Sequence, residues 1–132
     1  MQGVLLDSDY LIALTFNNES THHRASAIRA NIAGIGQFIL IPTLYELATV
    51  TSRKFGHEYS CNLIKRLEIL PVKRLAVDNI RDDILNMFYS QRKKSTSMFD
   101  CANLVAAQYY GFKIASFDKF YPKSMLINAT PH

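Results

Sequence analysis

Val4-Leu5-Leu6-Asp7-Ser8-Asp9 is the stretch on which the fold of this chain turns. Its three apolar residues run on without alternation. That pattern describes a strand buried on both faces, as in a parallel sheet covered by helices. The run stops at an acid. In open α/β sheets ligands lie just beyond the carboxyl ends of the strands, so Asp7 stands where a site is expected. Three further stretches repeat the arrangement. Phe38 to Pro42 is followed by Glu46, Met98-Phe99 by Asp100, and Ile114-Ala115-Ser116-Phe117 by Asp118. Carboxylates gathered closely repel one another and stay ionised only with a cation among them. Oxygen donors without a Cys or His cluster suit Mg²⁺ or Mn²⁺.

Outward from this stretch, strands and helices alternate. Residues 3–7, 38–41, 68–72 and 113–117 read as strands, and 125–128 as a fifth. Residues 8–16, 21–32, 43–55, 57–67, 78–90 and 100–110 carry apolar side chains at helical spacing. Gly56 and Gly111 mark helix ends, Asp78 a helix start, and Asn17-Asn18-Glu19-Ser20 a turn. Alternating strands and helices give an α/β fold whose mostly parallel sheet is covered on both faces.

The chain has 132 residues, 48% of them hydrophobic, enough for the core of one domain over residues 1–132. No run approaches the ~18 apolar residues of a membrane span, and no signal peptide is evident after Met1. The two cysteines, Cys61 and Cys101, fall in helical segments, and reduced thiols in a cytoplasm are the simpler reading. Fifteen Lys and Arg face eleven acids. If five of those acids line one pocket, the remaining surface is strongly basic. Such a surface suits a polyanion held near cations.

Each acid also has a local explanation. Asp7 can cap the following helix. Thr43 and Glu46, like Ser97 and Asp100, have the spacing of a capping box. Asp118 before Lys119 reads as turn chemistry. Four independent local roles have no reason to fall where an α/β fold gathers them at one edge, so their joint placement favours a site.

On these residues the chain resembles the PIN-domain nucleases. Leu5-Leu6-Asp7-Ser8-Asp9-Tyr10-Leu11 looks like their opening motif and Pro42-Thr43-Leu44-Tyr45-Glu46-Leu47 like their second. Phe99-Asp100-Cys101-Ala102-Asn103 resembles the third and Ser116-Phe117-Asp118 the fourth. The order holds over essentially the whole chain. The resemblance implies a three-layer α/β/α sandwich and Mg²⁺- or Mn²⁺-dependent cleavage of RNA to 5′-phosphate and 3′-hydroxyl ends. Asp7, Glu46, Asp100 and Asp118 would be the metal-site acids, with Ser116 supporting them. Asp9 would be an outer or water-mediated ligand, and Ser8 would leave room beside the metal. The short chain is most similar to the toxin of VapBC-type toxin–antitoxin pairs, which implies a small antitoxin partner.

Lys119 and Lys123, and the loop Arg92-Lys93-Lys94, are the candidates for holding RNA phosphate. Phe120 or Tyr121 is the candidate for an exposed, base-stacking ring. Helices 43–55 and 57–67, joined at Gly56, offer Leu44, Leu47, Val50, Leu63, Ile64 and Leu67 as an apolar groove. An antitoxin segment or the second copy of a homodimer would fit it. Two other functions stand beside the ribonuclease: a non-catalytic binding module on the same fold, and a Mg²⁺-dependent phosphatase using Asp7-Ser8-Asp9. The phosphatase would need a longer chain.

Overall fold

The computed structural model describes residues 3–16 and 20–129. Most of the expected turn at Asn17 to Ser20 lies outside these. Among the described residues, four strands form one wholly parallel sheet in the order β3-β2-β1-β4. They are β1 (Val4–Leu6), β2 (Gln37–Leu40), β3 (Val72–Leu75) and β4 (Lys113–Ala115). Six α-helices among the described residues connect and cover them: α1 (Ser8–Thr15), α2 (His22–Asn31), α3 (Ile41–Phe55), α4 (His57–Ile69), α5 (Arg81–Tyr89) and α6 (Met98–Tyr110).

The unbroken apolar run of β1 becomes two cores. Val4 and Leu6 point to one face, with Tyr10, Leu11, Ile28, Ile39, Leu47 and Leu63. Leu5 points to the other, with Leu40, Ile84, Val105 and Ile114. Side chains alternate along a strand, so both faces must be apolar when helices cover both. The architecture is the expected three-layer α/β/α sandwich.

The departures from the sequence reading have local causes. Residues 68–72 do not form the third strand. Helix α4 runs on to Ile69, and Leu70 closes it in extended backbone immediately before Pro71. A residue before proline is driven out of the helical region, so the strand begins only at Val72 and ends at Leu75. The second strand stops at Leu40, and α3 starts without a loop, its first turn carrying Pro42. Proline fits there because that N–H has no helical acceptor. Leu40, not Thr43, is the N-cap, and no side chain caps the end. The expected Thr43–Glu46 capping box is therefore absent. Asp78 opens a short 3₁₀ turn, Asp78–Ile80, before α5 rather than capping the helix. The fifth strand reduces to one bridge between Ile114 and Leu126, after the 3₁₀ turn Lys123–Met125. A three-residue β4 offers little edge for more.

Two glycines matter for this packing. Gly56 joins α3 to α4 at φ 100°, where a side chain would be strained. A Cβ on Gly3 would meet the Phe112 and Phe38 rings at 2.7 Å, so the bare backbone leaves room for their stacking.

Candidate acidic site at the sheet edge

The strand order has a switch point. The chain steps from β1 outward through β2 to β3, then returns to place β4 on the other side of β1. The crevice beyond the carboxyl ends of β1 and β4 is where open α/β sheets bind ligands. Asp7 follows β1 there, with its N–H donating to Ala115 O at 3.0 Å. Ser116, Phe117 and Asp118 follow β4. Helix α1 begins at Ser8 and carries Asp9 in its first turn. Glu46 projects from α3 and Asp100 from the start of α6.

Asp7 is only 4% exposed. It caps α1, Oδ1 accepting from Ser8 N at 2.8 Å. Oδ2 accepts from Ser116 Oγ at 2.9 Å and from the Tyr121 hydroxyl at 3.1 Å. Asn103 Nδ2 approaches Oδ1 at 3.4 Å and Tyr121 Oη at 3.4 Å, and Thr43 Oγ1 approaches Asn103 Oδ1 at 3.4 Å. Helix α6 thus reaches the carboxylate at the end of β1 through Asn103, which α3 contacts in turn through Thr43.

Asp9 stands close to the same hydroxyl. Ser116 Oγ lies 3.1 Å from Asp9 Oδ1, and Phe117 N donates to Oδ2 at 3.0 Å. Ser116 Oγ also accepts from Asp118 N at 3.1 Å. A hydroxyl has one proton. When Ser116 donates to Asp7 it has none for Asp9. Burial first, then the Asp9 charge, pushes Asp7 up to about 7. Burial raises Asp9 as well.

Glu46 accepts from Ser8 Oγ at 2.7 Å. Asp100 forms a capping box with Ser97: its Oδ2 accepts from Ser97 N at 3.2 Å, and Ser97 Oγ accepts from Asp100 N at 3.1 Å. Burial raises both carboxyls, and the Asp118 charge adds to each. Asp118 itself accepts from Phe120 N at 3.0 Å. Every charge that raises these carboxyls is another carboxylate. Among the described residues, no lysine or arginine is paired with them.

The donor set is oxygen-only, negative and uncompensated, which fits a hard divalent cation. Among the described residues, no three acids, histidines or cysteines are already gathered to hold one ion. The carboxylates rest on hydroxyls and backbone N–H groups instead.

The fold therefore brings together Asp7, Ser8, Asp9, Glu46, Asp100, Ser116 and Asp118. The cationic candidates remain at the surface. Lys119, Lys123, Arg92, Lys93 and Lys94 are all exposed. Tyr121 is not the exposed ring expected. It is 2% exposed and turns its hydroxyl inward to Asp7. Burial, then the nearby Asp7 charge, raises that phenol far above its ordinary value. Of the groove residues, Leu47, Leu63 and Leu67 are core. Only Val50 is well exposed, with Leu44 and Ile64 half-buried. Sequence reading missed Asn103. The signal was there: one amide within the otherwise apolar run Cys101 to Ala107.

A parallel α/β/α sandwich with acids converging on its switch point is the architecture of metal-assisted enzymes and of their inactive relatives alike. The sequence decides between families: residues 4–123 match the PIN domain, and the chain belongs to that family. Among solved structures it is similar to Mycobacterium tuberculosis VapC20, described as a Sarcin-Ricin loop cleaving toxin. The TM-score is 0.76 at 15% identity, over 87% of this chain and 89% of that one. It is also similar to a toxin–antitoxin complex from Klebsiella pneumoniae. There the TM-score is 0.61 at 16% identity, over 98% and 99% of the two chains. No curated protein matches it in sequence.

Proposed function

We propose that this protein is a divalent-metal-dependent endoribonuclease and acts as the toxin of a toxin–antitoxin pair. The observation that carries the reading is the buried carboxyl of Asp7 in a cluster of acids with no cation of its own. Membership of the PIN family supports it, and so does the likeness in fold to a toxin that cleaves RNA.

In this reading Asp7, Glu46, Asp100 and Asp118 hold Mg²⁺ or Mn²⁺. When bound, the ion neutralises phosphate oxygen, acidifies water and stabilises the departing oxygen. The chain's own groups orient and exclude. Ser116 and Tyr121 fix Asp7 Oδ2, and Ser8 N fixes Oδ1, so the carboxylate need not be ordered when substrate arrives. Asp9 is held by Phe117 N beside the Ser116 hydroxyl that serves Asp7. The core beneath keeps bulk water to the open side. Lys119 and Lys123 supply positive charge at the rim.

The same reading implies a protein partner. The cleft of about 550 Å³ between α1 and α4, where the Phe16 ring stacks on Phe55 at 3.7 Å, is the better place for an amphipathic antitoxin segment than the buried leucines first considered.

The test is RNA cleavage by purified protein with Mg²⁺, against Asp7→Asn and against excess chelator. Cleavage that survives both would overturn the nuclease assignment. Rescue of growth by the neighbouring reading frame, with co-purification of its product, tests the toxin assignment separately.

A further inference from the structure

We propose that Arg24 is a phosphate-holding residue at the rim of the acidic site. This rests on the ribonuclease reading and names one contact by which RNA is held there.

Arg24 lies in the first turn of α2. Its guanidinium carbon sits 4.7 Å from the centre of the Phe117 ring. Phe117 is part of the site's frame. It lies between Ser116 and Asp118, and its N–H donates to Asp9. The Arg24 side chain is exposed, and among the described residues it makes no hydrogen bond or ion pair.

Structural roles for Arg24 do not account for this placement. A positive charge in a first turn opposes the helix dipole, and α2 has no acid in its first turn to offset it. Among the described residues no carboxylate is paired with it. Covering the Phe117 face requires only an apolar side chain. A guanidinium on a ring leaves its N–H edge free, a planar fork matched to phosphate oxygens. The ring also fixes where that fork stands, which a flexible lysine would not allow. Substrate phosphate must approach a cluster of carboxylates that repels it. A cation seated on the Phe117 ring, one residue before Asp118, would offset that repulsion.

The experiment uses the full chain carrying Asp7→Asn, with fluorescein-labelled oligouridylate as probe and anisotropy read across a salt titration. Arg24→Ala is expected to raise Kd about fivefold and to make the salt dependence shallower by about one phosphate contact. Arg24→Lys should recover part of the affinity. Arg81→Ala, which removes the same charge from α5 in the other helical layer, should change Kd less. In the active protein, Arg24→Ala should raise KM more than it lowers kcat. A lower Tm with unchanged Kd would make Arg24 a cap on Phe117 and overturn the proposal, as would equal effects of Arg24→Ala and Arg81→Ala. If the unsubstituted chain cleaves RNA and Arg24→Ala binds it as tightly, this inference fails alone. If the unsubstituted chain neither binds nor cleaves RNA, the ribonuclease reading fails with it.

Discussion

Asp7 concentrates the chemistry of this protein in one side chain. Its carboxyl is raised from 3.8 to about 7 by burial and by Asp9. A group with a raised folded pKa favours the native state at low pH. That contribution is complete below the unfolded pKa and lost as pH rises through the folded one. Metal-free protein should therefore lose stability between about pH 4 and pH 7. Asp9, Glu46 and Asp100 shift in the same direction and add to the slope. Asp7→Asn should flatten the slope and raise Tm at neutral pH by several degrees, each pKa unit being about 1.4 kcal/mol. Thermal melts in chelator across pH check this. A slope unchanged in Asp7→Asn would mean that Asp7 is ionised without penalty.

The Tyr121 hydroxyl invites a second substitution. Tyr121→Phe keeps the buried ring and removes one of the donors that fix Asp7 Oδ2. Partners that orient a metal ligand typically account for about 10- to 100-fold in metal affinity. Direct titration with Mn²⁺ should show a loss towards the lower end of that range, because Ser116 remains. Affinity equal to that of the parent would remove Tyr121 from the site.

At the scale of elements, β1 and the helix it feeds were legible, because an unbroken apolar run followed by a capping acid has few other meanings. Helix α6 was legible too, with Ser97 capping it and Gly111 in the left-handed region ending it. Asp100 shows why two readings can both hold: it closes a capping box and still faces the other acids. The third strand was misread because α4 and β3 meet at Leu70-Pro71, where an apolar run continues across the boundary. Tyr121 was misread because tyrosine suits a surface as well as a core, and only the fold reveals a carboxylate waiting beneath it. The α3–α4 joint carries its own prediction. Thr51 and Ser60 tie the two helices across it, Oγ1 to Oγ at 3.0 Å, and Gly56 turns the chain between them at φ 100°. Gly56→Ala should lower stability by about 1–3 kcal/mol, the cost of that backbone for any other residue. Denaturant melts measure it. No loss would mean that the joint relaxes freely.

Across the whole molecule, strand order does what no single motif can. Acids from β1, α3, α6 and the segment after β4 are far apart in sequence, and placing β4 beside β1 brings them to one edge. Burial and mutual repulsion raise Asp7, Asp9, Glu46 and Asp100, so the assembled charge should destabilise the metal-free fold. A divalent ion should reverse this. Binding to the native state alone stabilises it by RT ln(1 + [L]/Kd), about 2.7 kcal/mol at a hundredfold excess over Kd. Protons and metal compete for the same carboxyls. The rise in Tm on adding Mg²⁺ or Mn²⁺ should therefore grow from acidic to neutral pH, as the raised carboxyls become free to ionise. It should shrink in Asp7→Asn, most at neutral pH, where the parent's Asp7 can ionise. A control with K⁺ at matched ionic strength separates binding from screening, since screening would relieve repulsion without regard to Asp7. If Mg²⁺, Mn²⁺ and K⁺ raise Tm alike, the carboxylates repel one another without forming a metal site.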